Sequence, residues 1–246
     1  MLEVRKLRKH FGGVTAIDDA SLDVGPGQIV ALIGPNGAGK TTLFAAISGF
    51  IKPDAGSVRL LGEDISNLAP HVICARGMVR TFQITQPFGR LSVVQNIMVA
   101  TYNHAESKAE AFDRAREIAQ SVGMGSMLDT ESNNLTVAGR KRLELARALG
   151  TRPRILLLDE VMAGLNPTEI AEIIEVIEKI RAQGVSVLLI EHVMKAVMSL
   201  ADKVYVLNDG HMIAQGTPRE ITANPQVIEA YLGKSAPGIH EGKSPC

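Results

Sequence analysis

The chain has 246 residues, 46% of them hydrophobic, so it can bury a sizeable core as one large domain or as one domain with an insertion. Its 26 lysine and arginine residues balance 26 aspartate and glutamate residues, and a net charge of zero argues against a nucleic-acid partner. No apolar run approaches the roughly 18 residues that span a bilayer, and the charged N-terminus lacks the apolar centre of a secretory signal.

The two cysteines, Cys74 and Cys246, are too few for a disulfide framework and lack the spacing of metal ligands. We interpret them as inert filler rather than reactive thiols. Composition therefore predicts a soluble intracellular α/β protein.

The first part of the chain has the pattern of β-strands around one glycine-rich loop. Residues up to Val24 alternate apolar and polar side chains around a turn at Gly12-Gly13, which is typical of antiparallel strands. A buried strand is predicted at Gln28–Ile33, before the loop, and a helix from about Lys40 to Gly49, after it. Further strands are predicted at Ser57–Leu61 and Met78–Phe82.

From roughly residue 86 to residue 150 the pattern becomes helical, for example over Glu106–Gln120, and predicts a helical insertion in the α/β core. After Pro153 strands and helices alternate again. The helix predicted at Pro167–Gln183 carries a stripe of isoleucines on one face, which indicates packing. The other predicted elements are a strand at Ile155–Leu158, a strand at Val185–Ile190, and a hairpin of Lys203–Leu207 with His211–Ala214.

The glycine-rich loop carries the most specific motif. Its residues Gly34-Pro35-Asn36-Gly37-Ala38-Gly39-Lys40-Thr41 fit G-x-x-x-x-G-K-[ST] between a buried strand and a helix. Glycines let the backbone wrap a polyphosphate, and the helix N-terminus adds positive charge. Lys40 can reach the β- and γ-phosphates, and the Thr41 hydroxyl can ligate Mg²⁺. A chance glycine-rich turn is the alternative, but the full pattern in this setting predicts that the chain binds a nucleoside triphosphate such as ATP.

Such a loop needs a carboxylate at the end of a neighbouring strand, and Asp159 and Glu160 follow the strand at Ile155–Leu158. We expect Asp159 to hold Mg²⁺, through water, and Glu160 to act as general base for the attacking water. The alternative is an ordinary strand end with solvated acids.

His192 follows the next strand, where its imidazole can contact the γ-phosphate and the attacking water. A lone histidine is more often structural, but its place one strand beyond Glu160 favours catalysis. Gln83 follows the strand at Met78–Phe82 at the entrance to the helical insertion. It can contact a metal or a water, although its spacing favours this no more than a structural role.

Together these residues resemble the ABC transporter ATP-binding cassette over nearly the whole chain. The resemblance implies a P-loop NTPase (RecA-like) core with an N-terminal antiparallel β subdomain and an inserted α-helical subdomain, roughly residues 86–150. It implies one domain over residues 1–233, with a disordered tail over 234–246. The Walker A motif matches Gly34–Thr42, and the Walker B motif matches Ile155–Asp159, followed by Glu160 at the position of the catalytic base.

The same resemblance implies roles for residues outside the loop. It places Gln83 at the Q-loop glutamine, a metal and catalytic contact, and His192 at the switch histidine. The D-loop falls on Ala163–Asn166. Phe11 falls at the aromatic that stacks on adenine, although it could equally belong to the core.

The ABC signature, usually Leu-Ser-Gly-Gly-Gln, aligns with Leu135-Thr136-Val137-Ala138-Gly139 and departs from it. Thr136 keeps a hydroxyl and is predicted as a helix N-cap. Backbone donation to a phosphate from Thr136, Ala138 and Gly139 does not depend on side chains and is expected to persist. The contacts of the glutamine side chain are lost, which leaves weak hydrolysis open.

Within the family, segments such as Thr81-Phe82-Gln83 and Ala230-Tyr231-Leu232-Gly233 are similar to the ATP-binding subunits of branched-chain amino-acid importers. This resemblance implies a cytoplasmic subunit, peripheral on the cell membrane, that forms a dimer with a second cassette on ATP and drives integral-membrane permease subunits through the surface around Ile84–Gln95. The alternatives are an exporter, a lipid-extraction ATPase, or a soluble ABC ATPase, which usually has two cassettes or a long coiled coil in its chain.

Overall fold

The computed structural model describes residues 1–82 and 86–232; Gln83 and the tail over 234–246 lie outside them. Within these ranges the strands are β1 (Leu2–Phe11), β2 (Val14–Val24), β3 (Ile29–Ile33), β4 (Ala55–Leu60), β5 (Glu63–Asp64), β6 (Met78–Arg80), β7 (Ile155–Asp159), β8 (Ser186–Ile190), β9 (Lys203–Asn208) and β10 (His211–Gly216). The α-helices are α1 (Lys40–Ile47), α2 (Pro70–Ala75), α3 (Val93–Thr101), α4 (Lys108–Ser121), α5 (Val137–Gly150), α6 (Pro167–Ala182), α7 (Met194–Leu200), α8 (Pro218–Thr222) and α9 (Pro225–Leu232).

The N-terminal strands form an antiparallel sheet in the order β2-β1-β4-β5. The predicted hairpin is confirmed: β1 pairs with β2 down to Phe11 opposite Val14, and Gly12 in the turn has a φ of 56°. The inward side chains, among them Leu2, Val4 and Leu22, are fully buried or nearly so.

The second sheet has the order β10-β9-β3-β8-β7-β6, and its strands are parallel except for the edge strand β10. Every residue of β3, β7 and β8 is buried, as expected for a parallel sheet covered on both faces. Alternate residues of β3 enter two different hydrophobic clusters. Because parallel strands share a direction, the segments that follow β3, β7 and β8 all lie at one edge of this sheet.

Helices α3, α4 and α5 lie between β6 and β7 in the chain. Their apolar faces join the hydrophobic cluster on one face of the parallel sheet, with α4 contributing Ala111, Ala115 and Ala119 at four-residue spacing. None of the helices in the described ranges combines the length and the apolar character that crossing a bilayer requires.

The isoleucine stripe of α6 is confirmed as packing: Ile173, Ile177 and Ile180 are buried, and Ile170 and Ile174 pack against the same cluster. The helix begins at Pro167 because the side chain of Asn166 accepts hydrogen bonds from the first turn.

Among the predicted element ends that differ from the structure, two are explained by single hydrogen bonds. The strand predicted to reach Phe82 ends at Arg80, because the N–H of Phe82 turns away and donates to Glu144 Oε1 at 2.7 Å. The helix predicted from Glu106 begins at Lys108, because Ser107 caps it by accepting from the N–H of Glu110.

Candidate functional site

The glycine-rich loop joins β3 to α1 and lies tightly against its neighbours. Gly34 has a φ of 154° and Gly39 a φ of 102°. A Cβ at Gly34 would lie 2.0 Å from the carbonyl oxygen of Leu207, and one at Gly39 would lie 2.3 Å from that of Ala16. Glycine is therefore required at both positions for the loop to approach β9 and β2 this closely.

Lys40, the first residue of α1, folds back onto the loop. Its Nζ donates to the carbonyl oxygens of Gly34 at 2.8 Å and Pro35 at 2.9 Å. Burial lowers the pKa of this ammonium group, and the charges of Glu160 and Asp159 oppose that effect. A desolvated cation is thus held inside the loop, where a phosphate would be placed.

A cavity of about 720 Å³ opens over the loop. Its lining brings together residues from three separate stretches of the chain: Asn36, Gly37, Ala38, Gly39, Lys40, Thr41, Thr42, Glu160 and His192. This volume is within the range of small-molecule sites, and the lining is mostly polar near the loop. The structure therefore places the predicted general base and the predicted histidine at the predicted phosphate loop.

Glu160 and His192 contact each other across this cavity. His192 Nε2 lies 2.7 Å from Glu160 Oε1, a hydrogen bond that orients both side chains. The backbone of Glu160 is left-handed, with a φ of 50°, and its N–H donates to the carbonyl oxygen of Ile190 at 3.0 Å. Pairing between β7 and β8 thus fixes the direction of the Glu160 side chain.

Asp159, the last residue of β7, is 2% exposed and has a partner that the sequence did not reveal. Arg80 Nη2 donates to Asp159 Oδ2 at 2.8 Å, and the guanidinium group also lies 5.5 to 5.9 Å from the ring centroids of Phe44, Phe50 and Phe82. Among the described residues, none forms a hydrogen bond with the buried Nε of Arg80. A charged residue inside the otherwise apolar run predicted as a strand at Met78–Phe82 is the sequence signal for this pairing.

The residues predicted to hold Mg²⁺ fit that ion by their chemistry. Thr41 offers a hydroxyl oxygen and Asp159 a carboxylate oxygen, and Mg²⁺ prefers such oxygen ligands with most of its shell left to water and phosphate. Within the described ranges there is no cluster of three or more His, Cys, Asp or Glu side chains that could hold a metal alone.

Glu191 directly precedes His192 in the chain and was also not identified from the sequence. It is 2% exposed and follows the apolar run Val187–Ile190 of β8, and a charged residue directly after that run was the available signal. Burial raises its pKa to about 7; backbone N–H groups of Met162 and His192 and the charge of Lys141 oppose the shift, and the charge of Glu160 adds to it.

This raised pKa predicts a specific pH dependence of stability. The folded chain binds the Glu191 proton more tightly than the unfolded chain, so the stability contribution falls as pH rises from 4.5 to about 7 and then levels off. The full shift corresponds to about 3 kcal/mol. The stability of Glu191→Gln minus that of wild type should therefore increase as the pH rises from 5 to 8. Thermal unfolding of both proteins across this range measures the difference. A constant difference would contradict the burial of the carboxyl group.

The variant signature begins α5, and Thr136 is confirmed as its N-cap: the Thr136 hydroxyl accepts from the N–H of Gly139 at 3.1 Å. A Cβ at Gly139 would lie 3.3 Å from Leu135 Cβ, so the site fits a small residue. Thr136, Ala138 and Gly139 do not belong to the lining of the cavity over the loop, as far as the described residues define it. Their contact with a nucleotide stays a prediction that requires a second chain.

Phe11 is 48% exposed at the end of β1, so the alternative that it belongs to the core is wrong. The neighbouring strand β2 contacts the loop through the carbonyl oxygen of Ala16. Phe11 pairs with Val14, which is two residues, or about 7 Å of strand, from Ala16. Lys9 Nζ lies 5.5 Å from the ring centroid. An exposed ring beside the loop is compatible with stacking on adenine, which stays a prediction.

Comparison with known proteins gives two family matches. The sequence profile described as ABC transporter matches residues 17–163, which include the loop and the Asp159-Glu160 pair. A second profile, described as Branched-chain amino acid ATP-binding cassette transporter, matches residues 211–237.

Curated relatives are similar over nearly the full chain. The chain is 42% identical to the high-affinity branched-chain amino acid transport ATP-binding protein BraF of Pseudomonas aeruginosa, over 96% of this chain and 98% of BraF. It is 39% identical to the corresponding protein LivG of Escherichia coli, with the same coverage. It is also 37% identical to the lipopolysaccharide export system ATP-binding protein LptB of Escherichia coli, over 95% and 97% of the two chains.

Solved structures agree with this similarity. A nucleotide-free ATP-binding cassette from an ABC transporter superposes with a TM-score of 0.87 at 31% identity, covering 95% of this chain and 99% of the other. The ADP conformation of an ATP-binding cassette gives the same TM-score, identity and coverage.

Proposed function

We propose that this chain, which belongs to the ABC transporter family of ATP-binding cassettes, hydrolyses ATP to drive the import of branched-chain amino acids through a membrane permease. The observation that carries the hydrolytic part is the 2.7 Å contact between Glu160 and His192 over the phosphate loop. The transported class is supported by the relatives named above and by the C-terminal profile match.

The geometry supports one role for each residue of the cavity. The backbone N–H groups of Gly37–Thr42 and the ammonium group of Lys40 bind the β- and γ-phosphates, exchanging the loop carbonyls of Gly34 and Pro35 for phosphate oxygens. Thr41 and Asp159 would hold Mg²⁺, and the ion would neutralise charge on the phosphates. Glu160 accepts a proton from the attacking water, and His192 orients Glu160. We assign Gln83 to the same metal and water.

One chain supplies half of this machinery. The capped N-terminus of α5, at Thr136–Gly139, is exposed at Val137 and lies apart from the chain's own cavity. Its amide groups can serve an anion held by another chain. We infer that a second cassette is bound face to face, so that each α5 contacts the γ-phosphate on its partner's loop. ATP then favours the closed dimer because it contacts both chains, and hydrolysis removes that preference.

The permease is expected to bind beside the helical segment. An apolar groove of about 820 Å³ lies between α3 and α4, with Val99, Tyr102 and Phe112 each at least 41% exposed. The groove starts at Leu91–Gln95, which is part of the surface predicted to contact the permease. Exposed apolar side chains gathered in one groove indicate a protein contact. We propose that the permease binds there and holds the chain at the cytoplasmic face of the membrane.

Uptake measurements test the transport function. The chain is co-expressed with its membrane permease in cells that lack their own branched-chain amino-acid transporters, and uptake of labelled leucine is measured. We expect uptake with the wild-type chain and at least a tenfold loss with Glu160→Gln, because transport requires turnover.

The matched control is Glu175→Gln, which changes an exposed glutamate on α6 and should leave uptake unchanged. Because a relative at 37% identity belongs to a lipopolysaccharide export system, the chain is also expressed in cells depleted of their own lipid-export ATPase, and lipid export is assayed. Restored lipid export without leucine uptake would replace the proposed cargo.

A further inference from the structure

Glu191 is a carboxylate in a position where an apolar side chain would be easier to accommodate. It is 2% exposed, and no Lys, Arg or His side chain forms an ion pair with it within residues 1–82 and 86–232. Burying a carboxylate without an ion pair is costly, and apolar replacements of buried charges are often neutral or stabilising. A specific structural task is therefore a better explanation for Glu191 than stability.

The Glu191 side chain joins two functional segments. Glu191 Oε1 accepts from the N–H of Met162 at 3.0 Å, and Glu191 itself directly precedes His192 in the chain. Met162 belongs to the segment that follows Glu160, and His192 is the partner of Glu160. One buried side chain thus sets the distance between the loop after β7 and the loop after β8.

The loop after β7 continues to the surface. Ala163, Gly164 and Asn166 are exposed next to the buried Met162, and the N–H of Ala163 donates back to the carbonyl oxygen of Glu160 at 3.2 Å. The same carbonyl oxygen lies 3.4 Å from Nζ of Lys141, a buried residue of α5. The exposed turn 163–166 and the helix α5 are therefore both tied to the backbone of the catalytic segment.

We propose that Glu191 is a positioning residue that fixes the turn 163–166 relative to Glu160 and His192, so that the state of the chain's own cavity sets the surface offered to the second cassette. This inference rests on the proposed function, because it assumes that ATP is hydrolysed in that cavity. Among the described residues, Glu191 is not part of the cavity lining, so it acts through the backbone of Met162 and His192.

The test compares Glu191→Ala with Glu191→Gln in the purified full chain. The alanine removes both acceptors, whereas the glutamine keeps one acceptor oxygen for the N–H of Met162. We expect kcat to fall about 10- to 100-fold in Glu191→Ala, the range for losing hydrogen bonds to a charged group. The KM for ATP should stay within about twofold, and glutamine should restore most of kcat.

A second readout is assembly. In the Glu160→Gln background, adding Glu191→Ala should lower the ATP-induced dimer fraction on size-exclusion chromatography while the affinity of the monomer for a fluorescent ATP analogue is unchanged. Glu175→Ala, an exposed carboxylate on α6, is the matched control and should change neither quantity.

Three outcomes would overturn the inference: an unchanged kcat in Glu191→Ala, a loss of ATP affinity as large as the loss of kcat, or a glutamine variant as impaired as the alanine variant. If the alanine variant does not fold, Glu191→Leu fills the buried site without an acceptor and is expected to show the same loss of kcat. A wild-type chain without ATPase activity would refute the proposed function, whereas an active wild-type chain with any of these outcomes refutes the inference alone.

Discussion

Replacing Lys40 with alanine is expected to reduce ATP turnover by about 100-fold or more. In the described part of the chain, its ammonium group is the only lysine or arginine cation that lines the phosphate loop. The lysine is desolvated and held at the carbonyl oxygens of Gly34 and Pro35, so it is positioned for phosphate before ATP arrives. Steady-state ATPase assays and binding of a fluorescent ATP analogue measure the two parts of the effect.

The control for Lys40→Ala is Lys52→Ala, which removes an exposed lysine just beyond α1 and should leave turnover unchanged. Circular dichroism checks that Lys40→Ala is folded, since the carbonyl oxygens of Gly34 and Pro35 lose their donor. Full ATPase activity in a folded Lys40→Ala protein would refute the assignment of this loop as the phosphate site.

Glu160→Gln is expected to separate binding from hydrolysis. Glutamine has nearly the same shape and can still contact His192, but it cannot take a proton from water at neutral pH, so turnover should fall about 100- to 10,000-fold. ATP should still bind at Lys40 and accumulate in a closed dimer, because the step that opens the dimer is blocked. Size-exclusion chromatography with ATP and with ADP measures this directly.

We expect Glu160→Gln to form a dimer with ATP but not with ADP. The double variant Lys40→Ala with Glu160→Gln should stay monomeric under both conditions. Glu175→Gln serves as the isosteric control on α6. A Glu160→Gln chain that stays monomeric at saturating ATP would count against the face-to-face pairing, and one with wild-type turnover would remove Glu160 from the catalytic role.

Much of the fold could be predicted because its strands and helices have strong local patterns. The fully apolar runs before Gly34, Asp159 and Glu191 predicted buried parallel strands, and the isoleucine spacing of α6 predicted its packed face. Element ends were less predictable, since Ser107 and Glu144 decide them through single hydrogen bonds, the second of which joins residues 62 positions apart.

The candidate site was predictable where chemistry and topology agree. Lys40, Glu160 and His192 each follow or begin an element at the carboxyl edge of the parallel sheet, so their meeting follows from the strand order. Arg80 and Glu191 were missed because their roles depend on pairing with Asp159 and Met162 across the sheet. A charge inside or directly after an apolar strand signals such pairing but does not name the partner.

The left-handed backbone of Glu160 has a consequence for how this chain can change. A φ of 50° at a residue with a side chain costs about 1 kcal/mol or more, and glycine would relieve it. Selection for thermal stability alone would therefore favour glycine or asparagine here, and selection for turnover would oppose both. A cassette that no longer hydrolyses ATP can therefore accept glycine or asparagine at residue 160 and gain stability. A cassette that keeps glutamate there retains the backbone strain because hydrolysis requires the carboxylate.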